Sequence, residues 1–420
     1  MFIIYNLIFL IFVIIYLPVY LFRGKFHKGF SARFVRPPDN LNLDKPIWVH
    51  AVSVGEALAV AGLIEELRKT YPQKKFVIST ITPTGNKIAQ KIAKGGDLVT
   101  YLPLDLSWIV RKAIDRIDPS IFVIAETEIW PNLIRYLHKR NIPVITVNGR
   151  ISDKSFKGYL GIKSLLKPTL EGFNLFCVQT ERDAQRFRSL GVAAEKVKVT
   201  GNMKFDNADK VDAGSADKYR SMLGLKADEL LFVAGSTHPG EEGIILGIYE
   251  ELLNKSFNLR LLIAPRHPQR GHEIFGLIKK SGFESLRISR LNEEAPRGAR
   301  TVFILDTIGQ LLNFYNIADI VFVGGSLIKK GGHNILEPAA LSKPVLFGPH
   351  MFNFRDITDL FLRNNAAIMV RNADQLQGNI EGLLNDPAKA KELGERARKL
   401  IQENQGATIR NAQQIKALFI

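Results

Sequence analysis

The sequence predicts two parallel, doubly wound α/β domains preceded by an apolar membrane-anchor helix, and three observations carry that expectation. Short apolar runs of strand length recur along most of the 420 residues, each separated from the next by enough chain for a crossover helix. The alternation breaks once, at residues 207–226, a polar span rich in Asp, Ala, Lys and Gly, and then resumes. Ahead of it all, residues 1–22 are apolar except for Asn6, the tyrosines and Pro18, and about 20 such residues suffice to cross a bilayer.

Taken in order, residues 1–22 read as a transmembrane anchor. A cleavable signal would carry a basic start and a small-residue cleavage site, and neither is present. Residues 23–45 form a basic juxtamembrane segment with Arg23, Lys25, His27, Lys28, Arg33 and Arg36, which sets the rest of the chain on the cytoplasmic side and attracts anionic headgroups. A first Rossmann-like domain, 46–206, has strands expected at 47–53, 76–80, 98–102, 121–126, 144–148, 176–180 and 197–200, with helices such as 57–70 and 108–117 between them. A linker region at 207–226, with the boundary near 205–211, leads to a second such domain, 227–386. Its strands are expected at 230–234, 260–264, 302–305, 320–323, 345–347 and 367–370. The remainder, 387–420, reads as basic helices, helical throughout 387–419.

Composition narrows the function classes. Hydrophobic residues at 46% and charged residues at 23% describe a globular chain, and 26 Phe can fill its cores. A net charge of +16 points to an anionic partner: nucleic acid, an anionic membrane face or phosphorylated substrates. The basic residues are dispersed along helices or gathered beside the anchor, and no aromatic-basic recognition motif is visible, which argues against nucleic acid. Cys177, the sole cysteine, lies in an apolar run and reads as a buried thiol, so no intrachain disulfide is possible. No His, Cys and Asp spacing suggests a metal site, and no cofactor is expected.

The polar groups that could carry chemistry follow strands. After the run 320–323, Gly324-Gly325-Ser326 and Gly331-Gly332-His333-Asn334-Ile335-Leu336-Glu337 read as phosphate-binding geometry, with a helix starting near Asn334 and Glu337 placed to accept ribose hydroxyls. In Ser53-Val54-Gly55-Glu56, Glu56 stands at a helix N-terminus, either as a stabilising charge or as a general base facing a cleft. Glu126 and Glu128 put two carboxylates at a buried strand's end, an expensive place unless they are paired or used. Lys204, in Gly201-Asn202-Met203-Lys204-Phe205-Asp206, is a surface lysine or a cleft cation. Pro265-Arg266-His267-Pro268 supplies an arginine suited to gripping phosphate, with His267 structural or functional. The turns Thr82-Pro83-Thr84-Gly85 and Gly235-Ser236-Thr237-His238-Pro239-Gly240-Glu241-Glu242 are similar strand-to-helix passages.

Together these ordered motifs, from Ser53–Glu56 through Glu126–Asn132 and Gly201–Asp206 to Pro265–Pro268 and Gly331–Asn334, resemble the 3-deoxy-D-manno-octulosonic acid (Kdo) transferases of lipopolysaccharide synthesis. The resemblance implies a GT-B glycosyltransferase: two Rossmann-like domains facing a central cleft, the first binding acceptor and the second nucleotide sugar, with the C-terminal helices crossing back to the first. It implies transfer of Kdo from CMP-Kdo to a lipid A precursor with inversion and without an essential metal. By the same resemblance Glu56 is the base, Glu126 and Lys204 support the transition state, and CMP contacts map to Pro265, Arg266, Ile308, Gly309, Gln310, Asn334, Ile335, Leu336 and Glu337. Many relatives carry Glu at position 310 and often Met at 308; Gln and Ile here put any role for an acid at 310 in doubt. Two other readings stay open: a different nucleotide-sugar transferase on the same fold, and a membrane-tethered nucleotide-binding protein without turnover.

Overall fold

The computed structural model describes residues 43–208, 216–291 and 300–419, together with residues 5–7, 9–11, 13–15, 33 and 298. The chain divides into two compact units, Met1–Asn207 with Asn404–Ile420, and Ala208–Glu403. Most of the expected anchor and basic segment lies outside the described residues. Among the described residues no helix is long and apolar enough to cross a membrane. Tyr5 and Asn6 are tied to the body of the first unit: the Tyr5 hydroxyl donates to Asp105 Oδ2 at 2.9 Å, and Asn6 Oδ1 accepts from Ser107 N at 3.0 Å and Asn132 Nδ2 at 3.1 Å.

The first unit is built on seven parallel strands: β1 Ile47–His50, β2 Phe76–Thr80, β3 Leu98–Tyr101, β4 Ile121–Ala125, β5 Val144–Gly149, β6 Leu175–Val178 and β7 Val197–Val199. Their order is β3-β2-β1-β4-β5-β6-β7, so the chain's direction of travel across the sheet reverses between β1 and β4. Both faces are covered, which is why β1, β2, β4 and β6 are buried along their whole length and read as apolar runs rather than alternating ones, with polar residues only at the C-terminal ends of β1 and β2, His50, Ser79 and Thr80. Trp48, Phe122, Phe176 and Phe187 fill one layer, and Val49, Leu63, Ile78 and Met203 the other. The buried Cys177 belongs to the second layer, where desolvation pushes its thiol up to about 12 and keeps it inert.

The second unit repeats the plan with β8 Leu230–Thr237, β9 Leu259–Pro265, β10 Glu284–Arg287, β11 Thr301–Ile304, β12 Ile320–Val323, β13 Val345–Phe347 and β14 Ile368–Met369. The order β10-β11-β9-β8-β12-β13-β14 puts its reversal between β8 and β12. Strand β10 is absent from the sequence reading because only one of its four residues, Leu286, is apolar, as suits an edge strand with little to bury.

Several boundaries differ from expectation for local reasons. The strand expected at 121–126 stops at Ala125, because Glu126 takes a left-handed φ of 57°. The C-terminal region, expected helical throughout, is two helices, Pro387–Asn404 and Ala407–Ala417, broken where Gly406 adopts φ 90°. Beyond the break, Asp206 Oδ1 accepts from Gly406 N and Oδ2 from Thr408 N, both at 2.6 Å, so a first-unit carboxylate holds the start of the last helix.

Candidate functional site

Open parallel sheets bind ligands beyond the C-terminal strand ends at the point where strand order reverses. In the first unit that point lies between β1 and β4, and the side chains there are Glu56, Glu126 and Glu128. Helix Val54–Thr70 starts directly after β1 with Ser53 at its N-cap. Glu56, in the first turn, folds back so that Oε2 accepts from Val52 N and Oε1 from the Ser53 hydroxyl, each at 2.8 Å. The neighbouring turn holds the same residue, Val52, by its carbonyl. Thr82, N-cap of Pro83–Ile92, accepts from Gly85 N at 3.0 Å and donates to Val52 O at 3.2 Å. A Cβ on Gly85 would lie 2.8 Å from the Thr82 hydroxyl, so glycine is required for the two turns to nest.

Glu126 is held by charge. Lys204 Nζ donates to Glu126 Oε1 at 3.1 Å, and Arg150 Nε lies 3.8 Å from Oε2. Lys204 reaches it because Met203 is buried and its N–H donates to Asn148 Oδ1 at 3.0 Å, while Lys204 N donates to Asn202 Oδ1. Lys204 is therefore an ion-paired group at the strand ends, not a free surface lysine. Around these residues opens a pocket of about 180 Å³, lined also by Thr127, Ser152, Ser155 and Tyr159. Burial raises the Glu56 carboxyl above its usual range, and the Glu126 charge raises it further, against the lowering effects of the Val52 and Ser53 hydrogen bonds and of Lys204. Glu128 rises to about 7, first through burial and then through Glu56. The sequence reading noted Glu128 but gave it no role. Arg150, Ser152 and Tyr159 were missed, being brought in from after β5 by the fold alone.

In the second unit the expected phosphate cradle is already occupied. Glu241, at the start of helix Glu241–Asn254, accepts from Gly325 N at 2.7 Å and from His238, Ser326 and Leu327 N at 3.0 Å. A buried carboxylate thus satisfies the first amides of the glycine-rich turn, and they are not free for a ligand. The helix expected to start near Asn334 begins at Leu336 and ends at Ala340; five residues make too little dipole to serve as an anion site. Asn334 instead caps locally, accepting from Leu336 N at 3.2 Å and donating from Nδ2 to Glu337 Oε1 at 3.1 Å.

The other expected donor-site residues lie beyond strand ends of this unit. Pro265 closes β9 and is buried; Arg266, next in line, is exposed and donates its N–H to Thr237 O at 3.0 Å. Its guanidinium acts electrostatically on Glu337, whose carboxyl is raised by burial and pulled back by Asn334 and Arg266. Ile335 and Leu336 are buried and position the backbone rather than offering side chains. Ile308 is 84% exposed, Gly309 has φ 87°, and Gln310 Oε1 accepts from the Thr307 hydroxyl at 2.6 Å, so an amide here engages its own turn. His238 and His333, which the sequence shows within their turns but marks with no role, face each other between the β8 and β12 ends, with Nε2 atoms 2.9 Å apart. Among the described residues no group of His, Cys, Asp and Glu is arranged to hold a metal ion.

The family described as 3-Deoxy-D-manno-octulosonic-acid transferase (kdotransferase) matches residues 28–207, and the family Glycosyl transferases group 1 matches residues 241–400. A 3-deoxy-D-manno-octulosonic acid transferase of Haemophilus influenzae is 38% identical over 383 residues, covering 90% of this chain and 87% of the relative. Another, of Rickettsia felis, is 34% identical over 361 residues, covering 86% and 76%. Among solved structures, a glycosyltransferase of Rickettsia africae aligns with a TM-score of 0.59 at 15% identity, over 89% of this chain and 98% of that one. That likeness shows the fold alone, which is GT-B-like.

Proposed function

The chain belongs to the Kdo transferase family of glycosyltransferases, and on that premise we propose that it moves Kdo from CMP-Kdo to a lipid A precursor, lipid IVA, with inversion at the anomeric carbon. The observation that carries the reading is the first unit's cluster: Glu56 with a raised carboxyl, beside the Glu126–Lys204 ion pair, at the reversal point of the sheet. Sugar transfer passes through an oxocarbenium-like transition state, so the enzyme must deprotonate a weak hydroxyl nucleophile and stabilise a departing phosphate. Glu56 takes the acceptor's proton; a carboxylate with a raised pKa is a better match to that task than an ordinary one. Glu126 and Lys204 hold charge around the reacting centre. In the second unit Arg266 grips the phosphate and Glu337 the ribose, with the 308–310 turn and residues 334–336 shaping the nucleotide site. Arg266 supplies the cationic charge in this scheme, and independence of metal is part of the proposal.

The acceptor is a phosphorylated lipid, which gives a reason for the apolar residues 1–22 and the basic residues after them: confinement to the cytoplasmic face of the inner membrane raises encounters with it. Attachment is by lying along the surface rather than by crossing, because Tyr5 and Asn6 are bonded to the first unit and a helix crossing from residue 1 would carry them away from that unit. A membrane-impermeant reagent applied from the periplasm spares a cysteine at position 2 if the segment lies along the surface and labels it if the segment crosses. The catalytic proposal is tested by donor competition and product stereochemistry: CMP inhibits, UDP does not, and the product has the anomeric configuration opposite to the donor. Retention, or equal inhibition by UDP, refutes it.

A further inference from the structure

The ends of β8 and β12, neighbours at the second unit's reversal point, bring two imidazoles together. His238 follows β8 and His333 closes the glycine-rich turn after β12. Their Nε2 atoms lie 2.9 Å apart, with ring planes within 5° of parallel. At that distance the two nitrogens share a single hydrogen, so the uncharged pair has one ring as the Nε2–H tautomer and the other as the Nδ1–H tautomer. One added proton fits without loss of this bond, because it goes to the remaining bare Nδ1 and leaves both Nδ1 atoms as donors. A second would set two N–H groups head to head, so the pair holds one positive charge at most. Gly325 packs under both rings: a Cβ there would come within 3.1 Å of His333 and 3.2 Å of His238. A third imidazole, His267, stands edge-on to His238 with centroids 6.1 Å apart, adjacent in sequence to Arg266.

The charged groups around the pair are mostly basic. Arg266 and His267 act on His333; His267, Lys330, Glu242 and Arg270 act on His238. Two acids stand close by: Arg270 Nη1 already engages Glu242 at 2.7 Å, and Glu241 is held by the backbone amides of His238, Gly325, Ser326 and Leu327. Burial, with these cations, holds His333 down to about 4 and His238 below its ordinary value, so without an anion the pair is uncharged at neutral pH. An anion beside Arg266 and His267 reverses the electrostatic part of that effect.

We propose that the His238–His333 pair is a proton-coupled anion subsite, taking up one proton as the phosphate of a cytidine nucleotide binds and releasing it as the phosphate leaves. This rests on reading the second unit as the nucleotide-binding one. The captured proton makes a charge-assisted Nδ1–H donor to a phosphate oxygen, and no covalent bond forms or breaks. Phosphate affinity then falls as pH rises through the bound pair's pKa, by at most about tenfold per pH unit.

Calorimetry of the full chain near neutral pH, in two buffers of different ionisation heat, measures the proton directly. The probe is the methyl ester of cytidine monophosphate, whose one acid group stays ionised throughout; cytidine is the phosphate-free control. Uptake approaching one proton with the ester and none with cytidine is expected. His333→Asn and His238→Gln, which keep a hydrogen-bonding group but cannot titrate, abolish uptake and flatten the pH dependence of ester affinity without changing cytidine binding. His267→Asn retains the uptake. Ester binding without uptake, or uptake that survives both pair variants, overturns the subsite while leaving the nucleotide reading intact. If neither ligand binds at any pH, the nucleotide reading falls and the subsite with it.

Discussion

At the reversal point of the first unit stand three carboxylates with Lys204 and Arg150; at that of the second stand three imidazoles with Arg266 and the half-buried Glu337, while Glu241 is taken up by the turn amides and Glu242 by Arg270. Burial acts on both groups and moves them in opposite directions, raising Glu56 and Glu128 and lowering His238 and His333. The common cause is desolvation, which favours the neutral form of either sign. In the first unit it readies a carboxylate to receive a proton; in the second it leaves imidazoles that an anion can charge. A single force therefore prepares proton acceptance in one unit and anion capture in the other, and the proposed division of labour can be broken one unit at a time.

The largest expected effect is on the acidic side. Glu56→Gln preserves size and can still bond near Val52 but cannot take a proton, so turnover falls by about 10²–10⁴-fold. CMP affinity by calorimetry stays as it was, because the nucleotide is assigned to the other unit; near-normal turnover would reduce Glu56 to the helix-capping carboxylate it also is. Next, Arg266→Ala weakens CMP by about 1.5–3 kcal/mol and cytidine far less, whereas Glu337→Ala weakens both alike through the shared ribose. Equal losses for both ligands in Arg266→Ala would show that this arginine does not read the phosphate.

A smaller effect separates the buried acid that builds the second unit from those that act in the first. Glu241→Ala strips four amides of their acceptor, which destabilises the turn by about 1–3 kcal/mol. Hydrogen exchange quickens at Gly325, Ser326 and Leu327; unchanged protection there would mean that the turn does not depend on Glu241. The smallest effect is on pH dependence. Activity rises with pH as Glu56 ionises. Lys204→Met removes a lowering charge and moves that acid limb of kcat/KM to higher pH, and Glu126→Gln removes a raising one and moves it lower. Shifts in the same direction would mean that the limb does not belong to Glu56.

What the sequence made legible follows from the same physics. Parallel strands buried on both faces are apolar runs, so β1, β4 and β12 could be found by composition alone, whereas β10 offers no such run. Motifs confined to one turn were readable as local chemistry, such as Ser53–Glu56. The glycine-rich turn misled because the group that fills it, Glu241, lies 84 residues before Gly325, and only the pairing of β8 with β12 brings them together. The His238–His333 pair was hidden for the same reason, its members lying 95 positions apart. Arg150 and Tyr159 come to the first unit's pocket from beyond β5, and nothing in their own neighbourhood signals it.

The account as a whole is tested most directly by its product. Purified full-length protein is incubated with CMP-Kdo and a tetraacylated, bisphosphorylated lipid A precursor, and the lipid is weighed by mass spectrometry. The prediction is a gain equal to one or more Kdo residues, with CMP released in equal amount and neither change in Glu56→Gln. An unchanged lipid mass from protein that binds CMP, or a gain that Glu56→Gln leaves intact, would contradict it.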